Sequence, residues 1–317
     1  MKFISNRRNL QKMEKIFIPL MCICLVVALS ACSIINIATG ADKQPKIKYV
    51  YKSFSDTNYN YSLGFEYWDL LSAQGKMYYD AIANFSFEVI RSYETNNLYH
   101  FDNADDYDPE DLDEAMIFYG LDHPENELVD AEMLQHIYGS NKEIFMDIVG
   151  ISSLMDEAEY QKFINEIDFE IADLVEQVNQ TEDKIEKYRL IHDWITLNVE
   201  YDNKYYDDVI SGKSISYETN SGNIYGAIVE KKAVCDGIAD AFKYICNKCN
   251  LECVNVPGDI DDTINEEYGH QWNIVLIDNN WYLVDCTFDL DGYSEYFLNE
   301  NLEINGRVPK YYGIPGY

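Results

Sequence analysis

Positive charge is scarce in this chain, and so is histidine. Lys and Arg number 24 against 56 Asp and Glu, a formal net charge of -32. Such acidity repels phosphate and argues against nucleic acid as a partner; a solvated acidic surface is its simplest consequence. Five histidines leave few candidates for a general base or a metal ligand. No fixed-period repeat is evident, which argues against solenoids and propellers. The acidic run at 102–114 lacks the central glycine and ligand spacing of an EF-hand loop, and no second cysteine pair at metal spacing accompanies Cys246 and Cys249. No metal and no cofactor is expected. What is present in quantity is apolar: 47% hydrophobic and 14% aromatic residues over 317 positions describe a folded chain of one or two domains.

The N-terminal end has the build of a leader. Lys2, Arg7, Arg8, Lys12 and Lys15 form a basic stretch, and Ile16 to Leu29 is apolar. It ends in Leu29-Ser30-Ala31-Cys32, which resembles the lipobox of bacterial lipoproteins. That resemblance implies cleavage after residues 1–31, a lipid on Cys32, and a body held at the extracytoplasmic face of the cell membrane. Residues 32–52 read as a tether, 53–180 as a mainly helical N-terminal region, and 181–317 as the core domain.

Helical periodicity is visible in several places. Leu70, Leu71, Met77, Tyr78, Ile82 and Phe85 line one helix, and Pro109 opens another. Tyr160, Phe163, Ile164, Ile167, Ile171, Leu174 and Val178 predict one long amphipathic helix over 156–179, with Thr181 as a cap for the next. That next helix, 183–201, places His192 on its apolar face, where a packed, hydrogen-bonded histidine is the simpler reading. The polar stretch 205–222 reads as a loop.

Cys235 stands apart from the other thiols. Ile238, Phe242 and Ile245 follow it at helical spacing, so it falls at a helix N-terminus, where the macrodipole favours thiolate. Cys22 and Cys24 would leave with the leader and Cys32 would carry lipid. Cys246, Cys249, Cys253 and Cys286 then read as buried or paired residues. Downstream come Gly269-His270-Gln271-Trp272-Asn273 and Trp281-Tyr282-Leu283-Val284-Asp285, two strand-like runs. A cysteine on a helix followed by histidine and aspartate on strands is the order of papain-type thiol enzymes.

Three stretches together, Gly226 through Val234-Cys235-Asp236-Gly237, His270-x-Trp272-Asn273, and Trp281-Tyr282-x-Val284-Asp285-x-Thr287-Phe288-Asp289, resemble the core of the bacterial transglutaminase-like superfamily. The resemblance implies an α+β, papain-like core in which the cysteine helix packs against an antiparallel sheet. It also implies a Cys235–His270–Asp285 triad acting on peptide amides through a thioester, as peptidase or acyltransferase. An aromatic or amide donor upstream of the cysteine helps hold the oxyanion in that family, and Tyr201 stands near its position. The expected partner is a protein or peptide of the cell envelope. The competing reading is a non-catalytic envelope-binding module that keeps the fold.

Geometry leaves one question open. A hairpin turning at Asn279-Asn280 puts His270 and Asp285 on one face, yet ladder counting sets Asp289 opposite His270. Asp285 is chosen on the family resemblance, with Asp289 in reserve.

Overall fold

The computed structural model describes residues 50–52, 64–89, 97–101, 109–125, 134–138, 144–148, 157–213, 219–260 and 268–317. The leader at 1–31, Cys32 and the tether up to residue 49 lie outside the described residues. The first elements are β1 (Val50–Lys52), α1 (Ala73–Val89), β2 (Asn97–Phe101), α2 (Pro109–Asp122), β3 (Leu134–Tyr138) and β4 (Ile144–Ile148). Then come α3 (Glu157–Glu170), α4 (Ala172–Gln180), α5 (Lys184–Asn198), β5 (Glu200–Tyr201) and α6 (Asn203–Ile210). The C-terminal part carries β6 (Lys232–Ala233), α7 (Cys235–Lys248), β7 (Cys253–Ile260), β8 (Tyr268–Ile277), β9 (Asn280–Val284), β10 (Phe297–Asn299) and β11 (Val308–Pro309). Among the described residues, no helix is long and apolar enough to cross a membrane.

The centre is a five-stranded antiparallel sheet in the order β10-β9-β8-β7-β11. Strand side chains alternate between faces, and here both faces are apolar. Cys253, Val275, Ile277 and Val284 face a core with Ile191, Ile195, Ile238, Phe242 and Ile245 of α5 and α7. Val254, Val256, Trp272, Ile274 and Leu283 pack against Tyr67, Tyr79, Leu112 and Phe118 on the other side. The apolar positions of α7 that signal a helix in the sequence are thus the ones it buries. Phe242 is fully enclosed, with the Tyr188 ring nearly parallel to it at 6.5 Å; such a burial stabilises by roughly 1.5–3 kcal/mol.

The first part is helical at α1 and α2, as its periodicity predicts, and Pro109 is the first residue of α2 with Glu110 and Asp111 in its first turn. It also contains β2, β3 and β4, which with β1 form a four-stranded sheet in the order β1-β2-β4-β3. Five-residue apolar runs carry too little periodicity to announce a strand.

Three local expectations are corrected. The single long helix over 156–179 is two, bent at Ile171 (φ -101, ψ 1), and Ile167, Ile171, Leu174 and Val178 all reach the same core. Asp183, not Thr181, caps α5: its carboxylate accepts the Glu186 N–H at 2.9 Å, whereas the Thr181 hydroxyl donates back to the Gln177 carbonyl. The stretch read as a loop opens with α6, capped by Asp202 through the Tyr205 N–H at 3.1 Å. That helix buries none of its residues: Tyr205, Tyr206, Val209 and Ile210 recur at helical spacing, but the polar residues among them read as loop.

The cap assignment is testable by urea unfolding. Asp183→Ala should lose about 1 kcal/mol, and Thr181→Ala should change little.

Candidate active site

Cys235 is the first residue of α7, after Val234 in extended conformation. Two contacts fix that helix start. The Val234 N–H donates to the Ser221 carbonyl at 2.8 Å, and Gly237 lies flat against the 221–223 turn. A Cβ on Gly237 would come within 2.8 Å of the Asn223 carbonyl oxygen, which explains the glycine two positions after the cysteine. The short parallel pair β5–β6 sets Tyr201 opposite Ala233, and Asp202 then holds the Ser221 hydroxyl at 2.7 Å and the Lys232 ammonium at 3.1 Å.

Tyr201 belongs to this neighbourhood. Burial, followed by Cys235, Tyr206, Asp236 and Asp285, pushes its phenol above the usual value, so at neutral pH it is a proton donor. The Cys235 thiol is 9% exposed. Burial first, then the Asp236 and Asp285 carboxylates, push it well up, while the Gln271 backbone N–H directed at the sulfur works the other way. The sulfur lies 3.6 Å from Asp236 Oδ1, with the thiol donating. A helix N-terminus alone predicts a thiolate; here desolvation and the carboxylates outweigh the half-charge of the helix end.

His270 sits on β8 opposite Gly258 of β7. Its Nε2 meets Asp285 Oδ2 at 2.8 Å, and the two residues are 8% and 1% exposed. Asp285 Oδ1 accepts the backbone N–H groups of Thr287 at 3.1 Å and Phe288 at 3.2 Å, and Oδ2 also takes the Arg307 guanidinium. Burial works against the Asp285 charge, but His270 and Arg307 outweigh it and hold the carboxyl below its usual range. The imidazole lies over Trp272 at 6.0 Å and meets the edge of Phe288 at 5.2 Å.

The hairpin turns one position earlier than expected. Ile277 pairs with Asn280, so Asp278-Asn279 form the two-residue loop, with φ of 49 and 64. Paired positive φ values suit the right-handed twist of a hairpin, and Asp and Asn tolerate them. The ladder ends at the Asn273–Val284 pair and residues 286–289 turn away from it, so Asp285 reaches His270 from just past the strand end and not from a paired position. Asp289 is engaged elsewhere. Its Oδ2 meets Nε2 of the buried His192 at 3.1 Å and its carboxylate accepts the Tyr296 N–H, while His192 Nδ1 meets Asp193 at 2.9 Å. The reserve role for Asp289 opposite His270 is therefore set aside.

Cys235, Cys246, Cys249, Cys253 and Cys286 are free thiols, and Cys246 hydrogen-bonds Cys253. Two features escape sequence reasoning. Gln271 and Asn273 point from β8 to α7, binding Asp240 at 2.8 Å and the Ala239 carbonyl at 3.1 Å, which locks α7 to the strand. The alternation around His270 and Trp272 was a usable signal for them. Arg307 lies outside every recognisable motif and gave no signal.

Residues 172–286 match the sequence model of the Transglutaminase-like superfamily, so this stretch is a transglutaminase-like core. The Kyphoscoliosis peptidases of Mus musculus and Homo sapiens are 26% and 25% identical to the chain over 125 residues, 37% of its length. The match spans only 17% of those relatives. Among solved structures, a crystal structure of a TGase superposes with a TM-score of 0.33 and 12% identity, covering 61% of this chain and 51% of the other. A candidate cysteine protease from Cytophaga hutchinsonii gives 0.31 and 16%, covering 56% and 64%. Neither superposition is close enough to carry function.

Because the Asp285 carboxyl releases its proton more readily folded than unfolded, its contribution is complete above the ordinary carboxylate range near ~4 and fades as pH falls through the folded value. Urea unfolding from pH 6 down to pH 2 should show stability declining, with the decline shallower in Asp285→Asn.

Proposed function

We propose that the protein is a thiol enzyme acting on peptide amides, with Cys235 as nucleophile, His270 as base and Asp285 as the group that orients the imidazole. The observation that supports this most is the buried 2.8 Å bond between His270 Nε2 and Asp285, formed on the strand whose Gln271 N–H is directed at the Cys235 sulfur. With Nε2–H donating to Asp285, Nδ1 is the nitrogen left to take the thiol proton. The thiolate attacks the amide carbonyl and the electron pair moves to oxygen, where the Tyr201 hydroxyl and the Cys235 backbone N–H are the donors. Collapse of the intermediate expels the amine, which takes a proton from the imidazolium and leaves a thioester. Water, deprotonated by His270, then gives hydrolysis; a second amine gives acyl transfer. Peptidase activity is favoured, in keeping with the peptidases that resemble this core. On the same footing, lipid on Cys32 would hold the enzyme at the outer face of the cell membrane, with envelope proteins or peptides as substrates.

One observation favours the alternative, a binding module that kept the fold. The resting thiol is pushed up by burial and its proton points to Asp236. Iodoacetamide alkylation of Cys235 across pH separates the two. The enzyme predicts at least roughly tenfold faster reaction at pH 7 in wild type than in His270→Ala, since the imidazole–thiolate pair lowers the thiol midpoint. Overlapping profiles with midpoints at or above ~8.5 would leave only the binding module.

Turnover is measured with a labelled casein for hydrolysis and a fluorescent amine for acyl transfer. Cys235→Ala should abolish whichever activity is found. Tyr201→Phe should lower kcat about a hundredfold, the cost of one lost oxyanion donor, with KM little changed.

A further inference from the structure

Arg307 is the most deeply buried cation of the described chain, at 0% exposure. It arrives just before β11, a strand that pairs with β7 at Gly258 and Asp259. A Cβ on Gly258 would lie 2.2 Å from the Val308 carbonyl oxygen, so glycine is what lets this segment close on the sheet opposite His270. The guanidinium donates to Asp285 Oδ2 and to the Ile304 carbonyl at 2.7 Å, and its Nε has no hydrogen-bond partner among the described residues. Trp272, Phe288 and Tyr296 surround it with ring centroids at 5.8, 4.9 and 4.8 Å. A cation so enclosed costs several kcal/mol of desolvation, and apolar residues of similar volume often serve stability as well. What such residues could not do is grip the carboxylate that holds His270.

We propose that Arg307 is a positioning residue of the Cys235–His270–Asp285 site: its guanidinium fixes the Asp285 carboxylate in the orientation that receives His270 Nε2 and offsets the carboxylate's charge. The proposal rests on the enzymatic reading given above. The Asp285 carboxylate is one of the groups that push the Cys235 thiol up, and a cation on the same carboxylate oxygen opposes that effect. The other ionisable groups around the pair include Asp236 and Cys235 in the first turn of α7, Tyr201 on β5, Cys286 next to Asp285, Tyr296 against the guanidinium, and Tyr317, whose hydroxyl receives the Trp272 indole N–H at 2.8 Å. Among them Arg307 supplies the fixed positive charge.

The test is the pH profile of Cys235 alkylation by iodoacetamide in the full chain, for wild type, His270→Ala, Arg307→Gln and Arg307→Lys. Gln keeps a donor near Asp285 without the charge; Lys keeps the charge without the planar fork. Arg307→Gln should move the midpoint about one pH unit upward. Arg307→Lys should keep the wild-type midpoint and lower the limiting rate several-fold, because a point charge does not orient a carboxylate as a fork does. An Arg307→Gln profile that overlays the wild type, while His270→Ala does not, overturns the role of Arg307 alone. Wild type and His270→Ala profiles that coincide overturn the enzymatic reading and this proposal with it.

Discussion

The site depends on one carboxylate being affordable where it is. Asp285 is 1% exposed, and an unpaired charge there would destabilise the fold by several kcal/mol. It receives instead the His270 ring nitrogen, the Arg307 guanidinium and two backbone N–H groups. Those donors come from β8, from the segment before β11 and from the turn after β9, so satisfying the charge ties three parts of the chain together. The sheet order follows the same logic, because β11 must return to the edge beside β7 to deliver Arg307.

The thiol is set up differently. Cys235 gains a helix N-terminus and the Gln271 N–H, but burial and the Asp236 and Asp285 carboxylates dominate the resting protein. Helix ends act over about one turn and weaken when a neighbouring charge opposes them. A buried sulfur beside two carboxylates needs a proton acceptor close by to become a nucleophile. Gln271 and Asn273 therefore matter indirectly: by bonding Asp240 and the Ala239 carbonyl they hold the first turns of α7 against the strand that carries His270.

Much of this was legible in the sequence where a residue's partner is local or its spacing regular. The start of α7 follows from Cys235 and the apolar Ile238, Phe242 and Ile245, and Pro109 marks the start of α2. The hairpin was legible as a hairpin, but its turn was misplaced by one residue because Asp278, Asn279 and Asn280 all tolerate left-handed backbone. That slip, together with the end of pairing at Val284, turned the Asp285 contact into an apparent conflict. The helix α6 was missed because Tyr205, Tyr206, Val209 and Ile210 are a short pattern at the head of a polar stretch, and Arg307 because its partners lie far away in sequence and its neighbours show no period. Sequence pattern reports burial on one element; it does not report which distant charge answers another.

Two histidine–carboxylate pairs make the last point. His192 with Asp289 and His270 with Asp285 have similar lengths, 3.1 and 2.8 Å, and both are enclosed. A thiol, Cys286, lies near both pairs: burial first, then the Asp285 and Asp289 carboxylates, push it well up, and its residue is only 2% exposed. His192 has a carboxylate on each ring nitrogen, so no nitrogen is left over to accept a proton from a nucleophile. Among the described residues His270 meets a carboxylate through Nε2 alone, and its neighbour Phe288 reaches the surface. What separates the two histidines is therefore the second ring nitrogen, and the base role proposed for His270 depends on what the fold places there.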